Sequence, residues 1–87
     1  MEIYEKRQIA KMARLYRALR KLKQKELGEL CGCTQRTISY LEREDFRMSE
    51  STLNQIGDFL KSDILVFSAI EEIVKSGSIG EFMGGLA

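Results

Sequence analysis

Residues 22–43 read LKQKELGELCGCTQRTISYLER, and this stretch decides the fold. Apolar side chains recur at helical spacing on both sides of a central glycine, in the pairs Leu27–Cys31 and Ile38–Leu41. Gly32 can adopt the left-handed conformation that ends a helix, and the hydroxyl of Thr34 can cap the start of another. The stretch therefore predicts a helix over about 24–31, a short turn and a second helix over about 35–42, which together form a helix-turn-helix.

The outward side of the second predicted helix is polar and poor in acids. Glutamine carries a donor and an acceptor that match the edge of adenine, arginine matches guanine or a phosphate, and the threonine methyl can contact a thymine methyl. The outward side chains are Gln35, Arg36, Thr37, Ser39, Tyr40 and Arg43. Such a face can read base edges in the major groove, but a solvated helix surface is equally polar, so the face alone leaves both interpretations open.

The same stretch resembles the DNA-binding domain of lambdoid phage repressors and Cro, the XRE-type helix-turn-helix family. The match has no gap and is carried by Leu22, Gln24, Glu26, Leu27, Gly32, Thr34, Gln35, Ile38, Leu41 and Glu42. Downstream, the pattern Ser49-x-x-Thr52-Leu53-x-x-Ile56-x-x-Phe59-Leu60 is similar to the family's fourth helix. The resemblance covers about residues 9–70 and implies an all-α, five-helix domain of the lambda-repressor type.

The resemblance and the polar face together predict how the domain meets double-stranded DNA. The expected base contacts are Gln35, Arg36 and Tyr40, with Thr34 and Thr37 at the edge of the footprint. The expected phosphate contacts are Gln24, Lys23, Arg14, Arg43 and Arg47. Phosphate contacts would set the register of the protein on the duplex, and base contacts would supply the specificity.

Three further positions are interpreted through the resemblance. Arg17 falls where the family has an arginine that pairs with the glutamate matched by Glu42, and we expect a bidentate pair there rather than the alternative phosphate contact. Gly28 replaces the alanine that the family prefers at the closest approach of two helices. Glu44 stands where the family usually has glycine, and with Asp45 it would bring negative charge near the DNA backbone.

Charge and composition limit the classes of function. Eighty-seven residues correspond to one domain. The net charge of +1 hides an asymmetry, because residues 1–48 hold 12 Lys or Arg and 7 acids, whereas residues 49–87 hold 2 and 6. A basic front half indicates one side that faces a polyanion. The sequence contains no phosphate-loop pattern and no nucleophile with a histidine, so we expect neither an enzyme nor a cofactor.

The two cysteines form a Cys-x-Cys in a chain without histidine. A zinc site requires four nitrogen or sulfur ligands, so we expect no metal and interpret Cys31 and Cys33 as small hydrophobic residues. The sequence has neither a run of about 18 apolar residues nor a signal-peptide pattern. These features predict a soluble cytoplasmic protein without a membrane partner.

The C-terminal part is predicted to mediate dimerisation. Ser49 can cap a fourth helix to about Leu60, and Ser62 or Asp63 a fifth to about Lys75. Of the eleven residues from 64 to 74, eight are apolar, which exceeds what one buried face needs. We therefore expect residues 1–62 to be the helix-turn-helix core and residues 63–87 to be the dimerisation part. The expected dimer contacts are Leu65, Phe67, Ile70 and Val74; the alternative is that residues 76–87 fold back over this face.

The function predicted from these features is a sequence-specific DNA-binding transcriptional regulator. We expect a repressor that acts as a homodimer on a near-palindromic operator. The alternative is a protein-interaction module on the same scaffold, such as an antitoxin or the target of an anti-repressor, because the loop acids and the apolar C-terminal quarter are also features of a protein-binding surface.

Overall fold

The computed structural model describes residues 1–75 of the chain. These residues form five α-helices, which are α1 (Ile3–Arg20), α2 (Gln24–Cys31), α3 (Gln35–Glu42), α4 (Glu50–Ser62) and α5 (Ile64–Lys75). No β-strand occurs within residues 1–75. The fold is therefore all-α with five helices, as the sequence predicted, and residues 76–87 lie outside the described part.

Local chemistry explains where most helices begin and end. Gly32 ends α2 with a left-handed φ of 75°. Thr34 accepts a hydrogen bond from the backbone N–H of Thr37 at the start of α3, over 3.2 Å. Ser49 does the same for α4. Of the two candidate caps for α5, Asp63 takes the role, because its carboxylate accepts the backbone N–H of Val66 over 3.3 Å.

One core joins all five helices. Its fully buried large side chains are Leu15, Leu27, Ile38, Leu41, Leu53, Ile56 and Leu60. The fifth helix adds Val66 and Ile70 to this core and packs on α1 and α4. Because burying these apolar side chains is the main stabilising term, α5 contributes to the same folded unit as residues 1–62.

The assignment of Ile70 to the dimer face needs correction. Its side chain is only 3 % exposed, so it packs inside the protomer and is not accessible to a second copy. Leu65 is 81 % exposed, Val74 is partly exposed and Phe67 is half-buried. Ile64, which we did not assign to the interface, is 74 % exposed. The alternative cover for this face, residues 76–87, lies outside the described residues.

Candidate nucleic-acid interface

The turn between α2 and α3 is closely packed. A Cβ atom added to Gly28 would lie 3.0 Å from the carbonyl oxygen of Cys33 and 3.0 Å from the carbonyl carbon of Thr34, so the backbone after the turn passes directly over this glycine. The N–H of Cys33 donates to the carbonyl of Gly28 over 2.8 Å. This close approach fixes where α3 begins relative to α2.

A side chain of α4 binds the C-terminal end of α2. Gln55 donates from Nε2 to the carbonyl oxygen of Cys31 over 2.6 Å, which satisfies an acceptor that the end of a helix leaves without an intrahelical partner. Sequence reasoning missed Gln55, because a side chain that reaches a carbonyl 24 positions away leaves no local pattern. This contact ties the end of α2, and with it the turn, to α4.

An ion pair connects α1 to the end of α3. The Nε and Nη2 atoms of Arg17 each donate over 2.7 Å to the two carboxylate oxygens of Glu42, which is a bidentate pair. Glu42 is only 8 % exposed, and its hydrogen bond raises the pKa of Arg17. The third nitrogen of Arg17, Nη1, donates to the carbonyl of Leu22 over 3.2 Å. Arg17 is therefore engaged within the protomer at all three nitrogen atoms.

Gln24 completes this arrangement at the start of α2. Its Nε2 donates to the Glu42 carboxylate over 3.3 Å, so one buried carboxylate receives donors from both α1 and α2. The side chain of Gln24 is half-buried, and it lines a shallow cleft with the outward side chains of α3. The outward residues that line this cleft are Gln35, Arg36, Ser39, Tyr40 and Arg43.

The side chains of α3 differ in solvent exposure, which distinguishes a side that faces the core from a side that faces solvent. Gln35 and Arg36 are exposed, whereas Ile38 and Leu41 are fully buried. Thr34 is exposed and Thr37 half-buried, and their hydroxyl oxygens lie 3.1 Å apart. Both threonines thus take part in capping α3. The side chains predicted to contact bases project from one accessible surface, and within residues 1–75 no part of the protomer covers Gln35 or Arg36.

The loop after α3 folds back on Tyr40. The guanidinium carbon of Arg43 lies 5.0 Å from the centre of the Tyr40 ring, and that of Arg47 lies 4.1 Å from it. Arg47 also forms a two-point ion pair with Asp45, with distances of 2.7 and 3.2 Å. This guanidinium holds the pKa of Asp45 below its ordinary value. Two of the donors of Arg47 are thus already bound to a carboxylate before any ligand arrives.

Glu44, the other loop acid, has a partner on the first helix. Its carboxylate lies 3.1 Å from Nε of Arg7, near the start of α1, a pair that the sequence did not indicate. Its backbone has a φ of 60°, the left-handed region where the resemblance leads one to expect glycine. Both acids of the loop are therefore paired with arginines rather than presented alone to a phosphate.

Arg14 lies apart from the cleft of α3. It lines a second, basic cleft with Arg17, Ala18, Lys21 and Leu22 near the end of α1. Its Nη1 makes a long hydrogen bond of 3.5 Å to the carbonyl of Glu42, and its buried Nε has no hydrogen-bond partner within residues 1–75. Lys21 was not singled out from the sequence. Lys23 is exposed at the cap position of α2, beside Gln24.

The cysteines behave as apolar residues. Cys31 is buried, and burial raises the pKa of its thiol to about 12, while the pKa of Cys33 is also raised by burial. The described residues contain no cluster of three or more His, Cys, Asp or Glu side chains that could hold a metal ion. In residues 1–75, no helix combines the length and the apolar character needed to span a membrane.

Comparison with known proteins identifies the family. Residues 14–67 match the model of a helix-turn-helix family, and this match covers more than half of the chain. Searches among curated proteins and among solved structures found no match. Members of the matched family are DNA-binding regulators and not enzymes. With the five helices of residues 1–75 and the turn at Gly32, the chain belongs to the XRE-type helix-turn-helix family, which is related to lambda repressor and Cro and consists of DNA-binding transcriptional regulators.

Proposed function

We propose that the protein is a sequence-specific regulator that inserts α3 into the major groove of double-stranded DNA. The observation that carries this proposal is the single accessible cleft that combines Gln35, Arg36 and Tyr40 with the start of α2 at Gln24. Gln35 and Arg36 project at the first turn of α3, where side chains can reach base edges, and their chemistry suits adenine and guanine. Thr34 and Thr37 lie at the margin of the same surface.

Phosphate contacts would come from the residues around this cleft. Lys23 and Gln24 stand at the start of α2, where the positive end of the helix dipole also favours an anion. Arg43 ends α3 and is exposed. Arg14 would bind a phosphate at the neighbouring basic cleft, which its guanidinium lines together with Lys21. These contacts set the register without reading sequence.

The regulator is proposed to act in the cytoplasm as a homodimer on a near-palindromic operator. Ile64 and Leu65 at the start of α5, and Val74 near its end, are apolar and accessible, which favours a second copy as the partner. Two-fold symmetry would place half-sites about one helical turn apart, near 34 Å. Blocking polymerase at such an operator is the simplest outcome, so repression is the proposed direction of regulation.

Selection of bound sites from random DNA, at a stated salt concentration near 0.15 M, tests the proposal. We expect a symmetric consensus with two half-sites. The variants Gln35→Ala and Arg36→Ala should each lose about tenfold in affinity for that consensus and little for unrelated DNA. Asn54→Ala, at an exposed position on α4, is the control and should bind like the wild type. Equal weakening on all sequences would refute the assignment of base contacts.

A protein-interaction module is the second candidate, and exposed Leu30 on α2 favours it. Leu30 is apolar at a position that lies outside the core, on the helix next to the DNA-facing cleft. Capture of a stable partner from the native host, combined with no shift of DNA from the gene's own promoter, would support this candidate. A shift of that DNA by the purified chain alone would support the regulator.

A further inference from the structure

The side chain of Tyr40 is held by a small charged cluster that the family assignment does not explain. Two guanidinium groups lie within the distance at which a cation is attracted to an aromatic ring, Arg47 at 4.1 Å and Arg43 at 5.0 Å from the ring centre. The nearer group is in the loop rather than on α3. Tyr40 therefore has a neighbour that a helix alone would not provide.

Asp45 holds the side chain of Arg47 and is itself bonded to the backbone of Tyr40. Asp45 accepts from its Nε over 3.2 Å and from its Nη2 over 2.7 Å, a geometry that only the planar fork of arginine can make. The backbone N–H of Asp45 donates to the carbonyl of Tyr40 over 2.9 Å. This bond keeps Asp45, and with it the Arg47 that it holds, close to Tyr40. The loop thus closes into one unit with the last turn of α3.

This arrangement suits positioning better than a phosphate contact. A phosphate contact requires an available positive charge, and here the Asp45 carboxylate already takes two donors of Arg47. Tyr40, by contrast, is half-buried and lines the cleft with Gln35 and Arg36. A tyrosine ring that is held in one orientation can present its hydroxyl to one base, whereas a mobile ring can contact several.

We propose that Arg47, held by Asp45, is a positioning residue that orients the Tyr40 ring and thereby sets the base preference at one position of each half-site. This inference rests on the proposed function, because it needs a DNA site that the protein reads. It reassigns Arg47 from a phosphate contact to a residue that acts through Tyr40.

The experiment starts with the wild type and Tyr40→Ala. Selection from random DNA with both proteins identifies the operator position at which preference depends on Tyr40. Binding is then measured on the consensus and on sites changed at that position only, at three salt concentrations. A base preference of about tenfold is expected for the wild type at that position.

The variants Arg47→Lys and Arg47→Ala decide the role of the arginine. Both should reduce the preference at the Tyr40 position to about twofold or less and leave the preferences at other positions intact. The dependence of affinity on salt should stay close to that of the wild type. Lysine should fail to rescue because it keeps the charge but cannot stack as a planar group or form the two-point pair with Asp45. In a Tyr40→Ala background, Arg47→Ala should change no base preference further.

Arg7→Ala is the matched control, because Arg7 also pairs with a loop acid, Glu44, but is not among the cations that lie over the Tyr40 ring. It should leave the preference at the Tyr40 position unchanged. Thermal unfolding of every variant identifies loss of folding; if Arg47→Ala unfolds, Arg47→Lys alone decides.

Three results would overturn the inference. The first is uniform weakening on all sites with a salt slope lower by about one and with rescue by lysine, which is the behaviour of a phosphate contact. The second is an unchanged preference in both Arg47 variants. The third is a wild type with a clear consensus that does not depend on Tyr40. A wild type with no base preference at all would instead refute the proposed function.

Discussion

Lys21 and Glu44 adopt the left-handed backbone conformation, with φ of 56° and 60°, although neither is glycine. Side chains with a Cβ are strained there by roughly 1–2 kcal/mol. Lys21 ends α1, and Glu44 follows the end of α3, so each stands where the chain must turn sharply. At both turns a charged side chain stands where glycine would avoid the strain: Lys21 lines the basic cleft, and Glu44 pairs with Arg7.

Glu44→Gly should strengthen DNA binding without changing specificity. The substitution removes a negative charge beside the proposed DNA-binding surface, so affinity should rise on the order of threefold on all sequences, most at low salt. The free energy of unfolding should change by less than about 1 kcal/mol, because relief of the left-handed strain is offset by the greater freedom of glycine in the unfolded chain. Fluorescence anisotropy at two salt concentrations measures the affinity. An unchanged affinity on unrelated DNA would contradict this expectation, and Glu72→Gln on α5 is the control.

Asp63 makes the free energy of unfolding depend on pH in the acidic range. Its carboxylate accepts from Arg20 over 2.6 and 3.0 Å, from the Val66 N–H over 3.3 Å and from the Tyr16 hydroxyl over 3.2 Å. The bond to Arg20 is the main cause that lowers the pKa of Asp63 below its ordinary value of 3.8. A lowered folded-state pKa means that the stabilisation is complete above the ordinary value and is lost as the pH falls through the lowered one.

The Asp63→Asn variant tests this dependence, because asparagine keeps a cap acceptor but removes the charge. Its midpoint of thermal unfolding should lie below that of the wild type at pH 6, and the gap should narrow as the pH falls below 3.8. Asp45 and Glu50 also have lowered pKa values, so the wild type will lose stability in acid for several reasons and only the gap reports on Asp63. A gap that stays constant from pH 6 to pH 2 would exclude the proposed linkage.

Helices α2 and α3 form a unit whose shape depends on one close approach. A Cβ on Gly28 would meet backbone atoms of Cys33 and Thr34, which cannot rotate away as a side chain can. From the other side, Gln55 of α4 holds the last carbonyls of α2. The orientation of α3, and with it the direction of Gln35 and Arg36, therefore depends on these contacts of α2 as well as on the core packing of α3 itself.

Substitutions at Gly28 should separate helix propensity from packing. Alanine gains up to about 1 kcal/mol of propensity but must displace the turn by a few tenths of an ångström, so the net change in unfolding free energy should be under about 1 kcal/mol. Valine adds two methyl groups against the same backbone and should cost more than about 2 kcal/mol. Urea unfolding measures both. Gly57→Ala is the control, because its Cβ would make an ordinary 3.5 Å contact with Ile9, and it should stabilise by about 0.5–1 kcal/mol. Equal effects of alanine and valine at Gly28 would argue against the close approach.

Charge and apolar surface are unevenly distributed over the protomer: the N-terminal half is basic, and α5 shares the core with the other helices. Residues 1–48 carry the excess of Lys and Arg, whereas residues 49–87 are acidic. The buried side of α5 serves the core through Val66 and Ile70, and its exposed side is left to Ile64, Leu65 and Val74. The burial of one side accounts for part of the unusually apolar composition of α5, and the proposed dimer contact would account for the rest.

Leu65→Lys should weaken self-association by about tenfold or more, because it places a charge in the centre of the proposed contact. Sedimentation equilibrium measures this, and DNA affinity should fall in parallel since two half-sites would no longer be bound together. Ser68→Lys is the matched control on an exposed position of the same helix. Ile70→Ala should instead destabilise the protomer itself by about 2–5 kcal/mol. A wild type that remains a monomer on DNA and in solution would refute the dimer.

Local patterns were sufficient for the helices. The pairs at helical spacing, the glycine at position 32 and the caps at Thr34 and Ser49 predicted the bounds of α2 and α3 and the start of α4, because helix formation and capping depend on neighbours within about four residues. The resemblance added the expectation of an Arg17–Glu42 pair, and the structure contains that pair.

Contacts between residues that are distant in the sequence could be identified only in the folded protein. Gln55 on the Cys31 carbonyl, Arg7 on Glu44 and the burial of Ile70 each depend on how helices dock, and docking follows from the summed packing of the core rather than from any short pattern. Even Arg47, only seven positions from Tyr40, comes to lie over its ring because the intervening loop turns back. A chain of amino acids specifies such contacts only through the whole of its packing, since side chains that are far apart in sequence meet only once the helices are in place.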